Sequence, residues 1–243
     1  MAHGQPDFGV AAPKEELYVS QDLAELAARL GAAPRYDRLG DVVFFEAFNG
    51  DLGAWEVEDS GQGETVEVTA ERKVIGDFSC KLSCVAAAGS YTGIRGRNPV
   101  PYSTIYGGEL QWTLHADAPY SYILIDIYTG AYHLTFGIKY DRATSQNYYY
   151  NAAGGWTAIP EVALPYYNDR NFIATKFTFD ITTVKYSRLL IPPGLTDLSG
   201  YTGFAYPDTE NYPRMECSGR IYGDTGKTPY SYIDSLIITA NDI

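Results

Sequence analysis

The stretch YSYILIDIY at residues 120–128 is followed by TGA at 129–131 and by YHLTFGIKY at 132–140. The first run is apolar on both faces, as expected of a strand inside a packed sheet. In the second run, Leu134, Phe136 and Ile138 alternate with more polar residues, which is typical of a half-buried strand. Because the three-residue link contains Gly130, the two runs together predict a β-hairpin.

The same alternation recurs on both sides of this hairpin. Apolar side chains occupy every second position in several short runs, which include Val66, Val68, Ala70; Cys80, Leu82, Cys84; Leu110, Trp112, Leu114; and Phe177, Phe179, Ile181. Ten or more short strands at this spacing, separated by turns rich in Gly, Pro, Asn and Asp, predict an antiparallel two-sheet sandwich or a barrel. We expect residues 41–243 to form this single β domain.

The first 40 residues follow a different pattern. Pro6, Gly9 and Pro13 oppose regular structure, so residues 1–18 are expected to form an extended arm. Residues 20–31 predict one short amphipathic α-helix, which is marginal in isolation and must pack on the sandwich or on another subunit. The apolar side chains expected to mediate assembly are Phe8, Tyr18, Leu23, Leu26 and Leu30.

Charge and composition exclude several classes of function. The formal net charge is -12, so binding to nucleic acid or to an anionic membrane is disfavoured. No apolar run approaches the roughly 20 residues that span a bilayer, and residues 1–9 lack a secretory signal pattern. This predicts either synthesis in the cytosol or a leader that has been removed. The cysteines Cys80, Cys84 and Cys217 are expected to be reduced and buried, the alternative being one disulfide to Cys217.

Three motifs resemble the jelly-roll domains of the concanavalin A-like superfold. They are FFEAFNG at 44–50 with Leu52 and Trp55, GDFSCKL at 76–82, and YIDSLII at 232–238. The resemblance spans about residues 42–240 and implies a two-sheet jelly roll. It implies no single function, because lectins, carbohydrate-binding modules, hydrolases and virion proteins share the fold.

The N-terminal arm, the helix and the YDRLGDV stretch at 36–42 resemble uncharacterised proteins encoded by phages. This resemblance implies a place on the virion surface, as a capsid decoration, tail or appendage component, after synthesis in the host cytoplasm. The partners would then be further copies of the chain or other virion proteins. A secreted or cell-surface location is the alternative.

Catalytic motifs are scarce. Hydrolases of the superfold carry an E-x-D-x-x-E pattern on a central strand, whereas residues 120–128 hold only Asp126. No nucleophile elbow and no phosphate-binding loop occurs. Asp126 and His133 are the nearest candidate pair, at or near opposing positions of the hairpin and on the same or opposite faces. The alternative, which we favour, is that Asp126 makes a structural hydrogen bond, for example to a hydroxyl group. We therefore expect a protein that is not an enzyme.

The jelly-roll resemblance also implies a possible structural Ca²⁺, and the matching positions are Glu46, Asp77 and Asp234. Backbone carbonyls would have to complete the six to eight oxygen ligands that Ca²⁺ needs. The alternative is three solvated carboxylates that bind no ion. No other cofactor is expected.

Aromatic residues with polar neighbours are candidates for binding glycans or protein partners. They are Trp156, Tyr148, Tyr149, Tyr150, Tyr166 and Tyr167, with Asn168 and Asp169 beside them. The first interpretation is a non-enzymatic virion structural protein that self-assembles through its arm and its Tyr-rich surface. The alternatives are a carbohydrate-binding module or lectin-like adhesin and, third, a glycoside hydrolase.

Overall fold

The computed structural model describes residues 40–48, 50–53, 55–74, 76–100, 103–163, 168–191, 194–209 and 212–242. These residues form sixteen β-strands and no helix. The strands are β1 (Asp41–Glu46), β2 (Trp55–Asp59), β3 (Thr65–Thr69), β4 (Ser79–Ser83), β5 (Tyr91–Asn98), β6 (Ile105–Leu114), β7 (Tyr120–Tyr128), β8 (Tyr132–Asp141), β9 (Gln146–Tyr150), β10 (Trp156–Ala163), β11 (Asn168–Asp180), β12 (Lys185–Ile191), β13 (Gly194–Asp197), β14 (Phe204–Pro207), β15 (Arg214–Tyr222) and β16 (Tyr230–Ala240).

The strands form two antiparallel sheets, which confirms the all-β sandwich. Sheet A has the order β13-β12-β11-β6-β16-β4-β3, with β1 also paired to β16. Sheet B has the order β10-β9-β8-β7-β15-β5-β2, with β14 also paired to β8. The predicted arm and helix, with their assembly residues, lie outside the described residues. No helix among the described residues is long and apolar enough to cross a membrane.

The core lies between the sheets and follows the predicted alternation. Ile123, Ile125 and Ile127 of β7 are buried and belong to the same cluster as Leu110 and Trp112 of β6. Fully burying an aliphatic side chain of this size stabilises the fold by about 1.5–3 kcal/mol. Because successive side chains of a strand point to opposite faces, the residues between these positions must face away from the core.

The predicted hairpin is confirmed in register. β7 and β8 pair antiparallel from Tyr120 with Asp141 to Tyr128 with His133. The Thr129 hydroxyl accepts hydrogen bonds from the amides of Ala131 and Tyr132 at the tip. Gly130 has a φ of 85°, a left-handed conformation that a residue with a Cβ adopts only with strain.

The stretch from residue 195 to residue 215 is rich in Tyr, Gly, Pro and Asp, a composition typical of loops. It contains the short strand β14, in which Phe204 pairs with Thr135 and Tyr206 pairs with His133. The four residues of β14, Phe204–Pro207, show no alternation of apolar and polar side chains, so their sequence alone does not predict a strand. They form a strand because this end of β8 offers unpaired backbone groups, which an adjacent segment satisfies.

All three cysteines are free and buried, as predicted. Burial raises the pKa of the Cys84 thiol to about 12 and raises those of Cys80 and Cys217 as well. These thiols are therefore protonated and unreactive in the native protein.

Candidate functional site

The outer face of sheet B carries the side chains that alternate with the core residues. On β7 these are Tyr120, Tyr122, Leu124, Asp126 and Tyr128. The neighbouring strands in the sheet, β15 and β8, add charged and aromatic side chains in register with them. The face therefore gathers polar and aromatic groups from segments that are far apart in the sequence.

Rings on this face touch one another in a continuous series, which we call the aromatic arc. It consists of Tyr206, Phe204, Tyr150, Trp156, Tyr122 and Tyr222. Successive ring centroids are separated by 5.4, 6.0, 5.1, 5.6 and 5.9 Å. Tyr120 extends the series, since its ring lies 4.2 Å from that of Tyr222. Contacts of this kind restrain each ring to a narrow range of orientations.

A lysine lies among these rings. The Lys139 ammonium is 4.3 Å from the ring centroid of Tyr148 and 5.7 Å from that of Trp156. Its cation–π contacts and its 3.4 Å ion pair with Asp141 hold the ammonium at the face. Three predicted binding residues, Trp156, Tyr148 and Tyr150, thus share one surface.

Tyr149, a further predicted binding residue, does not join this surface. Tyr149 faces inward and packs against Tyr186 and Tyr201, because it is the alternate residue between Tyr148 and Tyr150. Asn168 and Asp169 begin β11, which is a strand of sheet A. Their side chains, like Tyr166 and Tyr167, lie outside the described part of the chain.

Four arginines, the buried Glu216 and the half-buried Glu58 form a second group, which we call the arginine cluster. Glu216 accepts hydrogen bonds from Nε of Arg214 (2.7 Å) and Nε of Arg97 (3.0 Å), and Nε of Arg95 lies 3.8 Å from it. Glu58 pairs with Arg220 at 2.6 Å and also with Arg95. None of these six residues was among the binding or catalytic residues predicted from the sequence.

Glu216 is ionised at neutral pH because of its partners. Burial alone would raise the pKa of its carboxyl group. The hydrogen bond and charge of Arg214, with those of Arg95 and Arg97, outweigh that effect and hold the pKa below its ordinary value. A carboxylate held in this way accepts hydrogen bonds and does not donate a proton.

Asp126 is the residue directly opposite Glu216 in the β7–β15 ladder. Opposed side chains on one face have their Cβ atoms about 4.5–5.5 Å apart, so two acids stand side by side where the sequence had revealed only one. In a retaining glycosidase one of two such acids must donate a proton. Because Glu216 is committed to its arginines, it does not supply that proton here.

Asp126 belongs instead to a hydrogen-bonded chain, which we call the tyrosine relay. Asp126 Oδ1 lies 2.8 Å from His133 Nε2, and His133 Nδ1 lies 2.8 Å from the Tyr206 hydroxyl. Thr135 donates a further 2.6 Å hydrogen bond to Asp126. Because a carboxylate only accepts, Nε2 donates to Asp126, and the Tyr206 hydroxyl is the partner of Nδ1.

The relay is held in place and open at one end. The His133 ring stacks on Tyr128 with centroids 4.2 Å apart and planes 15° apart. Tyr206 is 40% exposed, whereas Asp126 and His133 lie beneath it. The predicted pair of Asp126 and His133 therefore occupies one face of the sheet. Tyr206, which belongs to the unpredicted strand β14, is the third member of the tyrosine relay.

The three residues predicted to bind Ca²⁺ have other partners. Glu46 accepts hydrogen bonds from the Phe48 amide (2.6 Å) and from Trp55 Nε1 (3.1 Å). The Asp77 side chain is 85% exposed, while the buried Asp234 accepts a 2.7 Å bond from the Val74 amide. Within the described ranges, no three acidic, histidine or cysteine side chains converge as metal ligands. These side chains do not fit a calcium site, and bound Ca²⁺ stays an untested prediction.

Comparison with known proteins supports the fold at low sequence identity. No protein-family model and no curated protein matches the sequence. An endo-β-1,4-glucuronan lyase from the fungus Trichoderma reesei is similar, with 12% identity, a TM-score of 0.56, and coverage of 82% of this chain and 96% of the lyase. A Bacillus licheniformis β-glucanase has 14% identity, a TM-score of 0.51, and coverage of 84% and 100%.

The comparisons correct the expectation of a non-enzymatic virion structural protein. The similar structures named above are carbohydrate-active enzymes. An enzymatically active domain of a bacteriophage tailspike matches with 10% identity and a TM-score of 0.40, covering 79% of this chain and 20% of that one, which is too weak to carry an argument. The resemblance to phage proteins is not confirmed, and the exclusion of enzymes is withdrawn.

Proposed function

We propose that this chain is a carbohydrate-active protein that binds a glycan along the outer face of sheet B. The observation that carries the proposal is the aromatic arc, which stands on the same face as the arginine cluster and the tyrosine relay. Ring faces bind the apolar C–H surfaces of sugars, and nearby charged and hydroxyl groups bind sugar hydroxyls. The fold shared with a lyase and a glucanase is compatible with this use.

The arc suits binding because its rings are already restrained. Trp156 contacts Tyr122 and Tyr150, and Lys139 lies against its ring. A ligand that binds such rings orders few side chains, so less free energy is lost on binding.

Binding to a panel of soluble polysaccharides, measured by affinity electrophoresis and calorimetry, tests the proposal. We expect Trp156→Ala to weaken binding by about tenfold or more, the effect of removing one stacking ring. Phe78→Ala is the matched control, because Phe78 is an exposed aromatic residue next to β4 of sheet A. Each variant is compared with the wild type by its unfolding curve. Equal losses in both variants, or no binding to any polysaccharide, would contradict the proposal.

The tyrosine relay favours catalysis in addition to binding. A hydroxyl that donates to a neutral histidine, which in turn donates to a carboxylate, is the arrangement that activates nucleophiles and bases. His133 would take the Tyr206 proton, and Asp126 would stabilise the resulting imidazolium. The Tyr206 oxygen would then serve as a general base that accepts one proton from the bound glycan, and His133 would release the proton that it took when the resting state is restored.

Turnover of each polysaccharide that binds tests this second role. Tyr206→Phe removes only the hydroxyl, so we expect product formation to fall at least a hundredfold while binding changes by less than about twofold. His133→Asn should behave similarly. His115→Asn is the control, because His115 packs on Tyr230 of sheet A. Full turnover in Tyr206→Phe would remove the relay from the mechanism.

A further inference from the structure

We propose that the arginine cluster is an anion site and that the glycan is an acidic polysaccharide whose carboxylate groups bind at Arg97. This inference rests on the proposed function and names its substrate class. Three observations support the proposal. They are the different exposure of the positive and negative side chains of the cluster, its charge balance, and the N–H donors of Arg97 that its ion pairs leave available.

The cluster presents its positive charges outward. The acidic side chains lie beneath, since Glu216 is 4% exposed and Glu58 is 11% exposed. The arginine side chains reach further toward solvent, to 31% exposure for Arg95 and 55% for Arg97. A ligand that approaches the face therefore meets the Arg97 guanidinium before the carboxylates of Glu58 and Glu216, with the half-exposed Glu56 beside Arg97.

The charge balance of the cluster differs from that of the chain. Four arginines against Glu58 and Glu216, with Glu56 at the rim, give 4 − 3 = +1, whereas the whole chain carries -12. The adjacent Asp126, which is hydrogen-bonded to His133 and Thr135, adds one more negative charge at the edge of the cluster and brings the balance to zero. An area without net negative charge, in which guanidinium groups are the more exposed charges, repels anions less than the rest of an acidic surface does.

Arg97 has the chemistry to bind a carboxylate. Its Nε donates to Glu216 and its Nη2 pairs with Glu56 at 2.9 Å. A guanidinium has five N–H donors, and its planar fork matches the two oxygens of a carboxylate. Since Arg97 is more than half exposed, the remaining donors are available to a uronate group. Glu56, itself half exposed, competes for the same arginine.

The test measures the affinities of sodium polyglucuronate, sodium polygalacturonate, a neutral β-glucan and dextran sulfate for the full chain. We expect tighter binding to the polyuronates, with affinity falling as salt is raised. Arg97→Gln should weaken polyuronate binding about tenfold, the loss of one charge-assisted contact, and leave the neutral glucan unchanged. Glu56→Gln should strengthen polyuronate binding about two- to threefold, because it removes a rim competitor.

Arg72→Gln is the charge-matched control, because Arg72 lies beside Tyr232 of sheet A. Arg97→Lys keeps the positive charge but lacks the planar guanidinium, so its loss of polyuronate affinity should be intermediate. It also replaces Arg97→Gln in the test if that variant folds poorly. Equal binding of neutral and acidic polymers, or no effect of Arg97→Gln on polyuronate affinity, overturns the anion site and leaves the proposed function standing. Binding to dextran sulfate alone overturns the assignment to carboxylates. No binding to any polymer overturns the proposed function itself.

Discussion

Replacing Glu216 by glutamine should destabilise the protein measurably. The carboxylate is buried and joins three arginines from two strands. Arg214 is the most buried of these arginines and makes the shortest bond to Glu216. Loss of this hydrogen bond between charged groups should lower the free energy of unfolding by about 2 kcal/mol. The contact with Arg97 is largely exposed to solvent and adds less than about 1 kcal/mol. Glutamine keeps one acceptor oxygen, which offsets that smaller contribution.

We therefore expect Glu216→Gln to lower the free energy of unfolding by about 2 kcal/mol, or the midpoint of thermal unfolding by roughly 4–8 °C for a chain of this size. Urea unfolding followed by tryptophan fluorescence measures the difference. Glu56→Gln is the control, since Glu56 is 51% exposed and its ion pair should contribute less than about 1 kcal/mol.

The effect also has a definite pH dependence. The pKa of Glu216 is lower in the folded protein than in the unfolded chain, so its stabilisation is present at neutral pH. It disappears as the pH falls through the folded-state pKa, because both states then bind the proton. The difference between wild type and Glu216→Gln should shrink in acid. An unchanged unfolding midpoint at neutral pH, or a difference that persists undiminished in acid, would refute the account of the arginine cluster.

Three further outcomes are expected. Asp77→Asn should leave the melting temperature unchanged with or without chelator. Asp234→Asn should lower the free energy of unfolding by about 1–3 kcal/mol, because it weakens the acceptor of the Val74 amide. A melting temperature of the wild type that falls with chelator would instead favour bound Ca²⁺. Cys217 should react with a thiol reagent only as fast as the protein unfolds, and rapid labelling of the native protein would contradict its burial. Asp242→Asn should cost about 3–5 kcal/mol in urea unfolding, because it removes the 2.6 Å partner of the buried Lys176 ammonium; a loss below about 1 kcal/mol would contradict that pairing.

The fold could be predicted from sequence because its signal is local. Leu110, Trp112 and Leu114 alternate within one strand, as do Leu134, Phe136 and Ile138, and each run shows on its own that one face is buried. Short strands such as β14 could not be found in this way, because pairing with β8 and not local periodicity makes them strands.

The site was only partly predictable, because it depends on which strands become neighbours. Trp156 was predicted from the sequence as a candidate binding residue, whereas Glu216 and Arg97 were missed. They meet because β15 pairs with both β5 and β7, a sheet order that local periodicity does not contain. One usable signal existed: Arg95 and Arg97, like Arg214 and Glu216, place charges at every second position and so on one face of a strand.

The order in which the strands are synthesised differs from their order in space. β15 lies between β7 and β5 in sheet B, and β16 lies between β6 and β4 in sheet A, so the two described strands that come latest in the sequence are interior strands of their sheets. Asp41 pairs with Ala240, almost the full length of the chain away. A chain that stops before Arg214 has the edges of both sheets and no middle, so neither sheet is complete until β15 and β16 have been made. A stop codon placed before β15 should therefore yield protein that aggregates or is degraded.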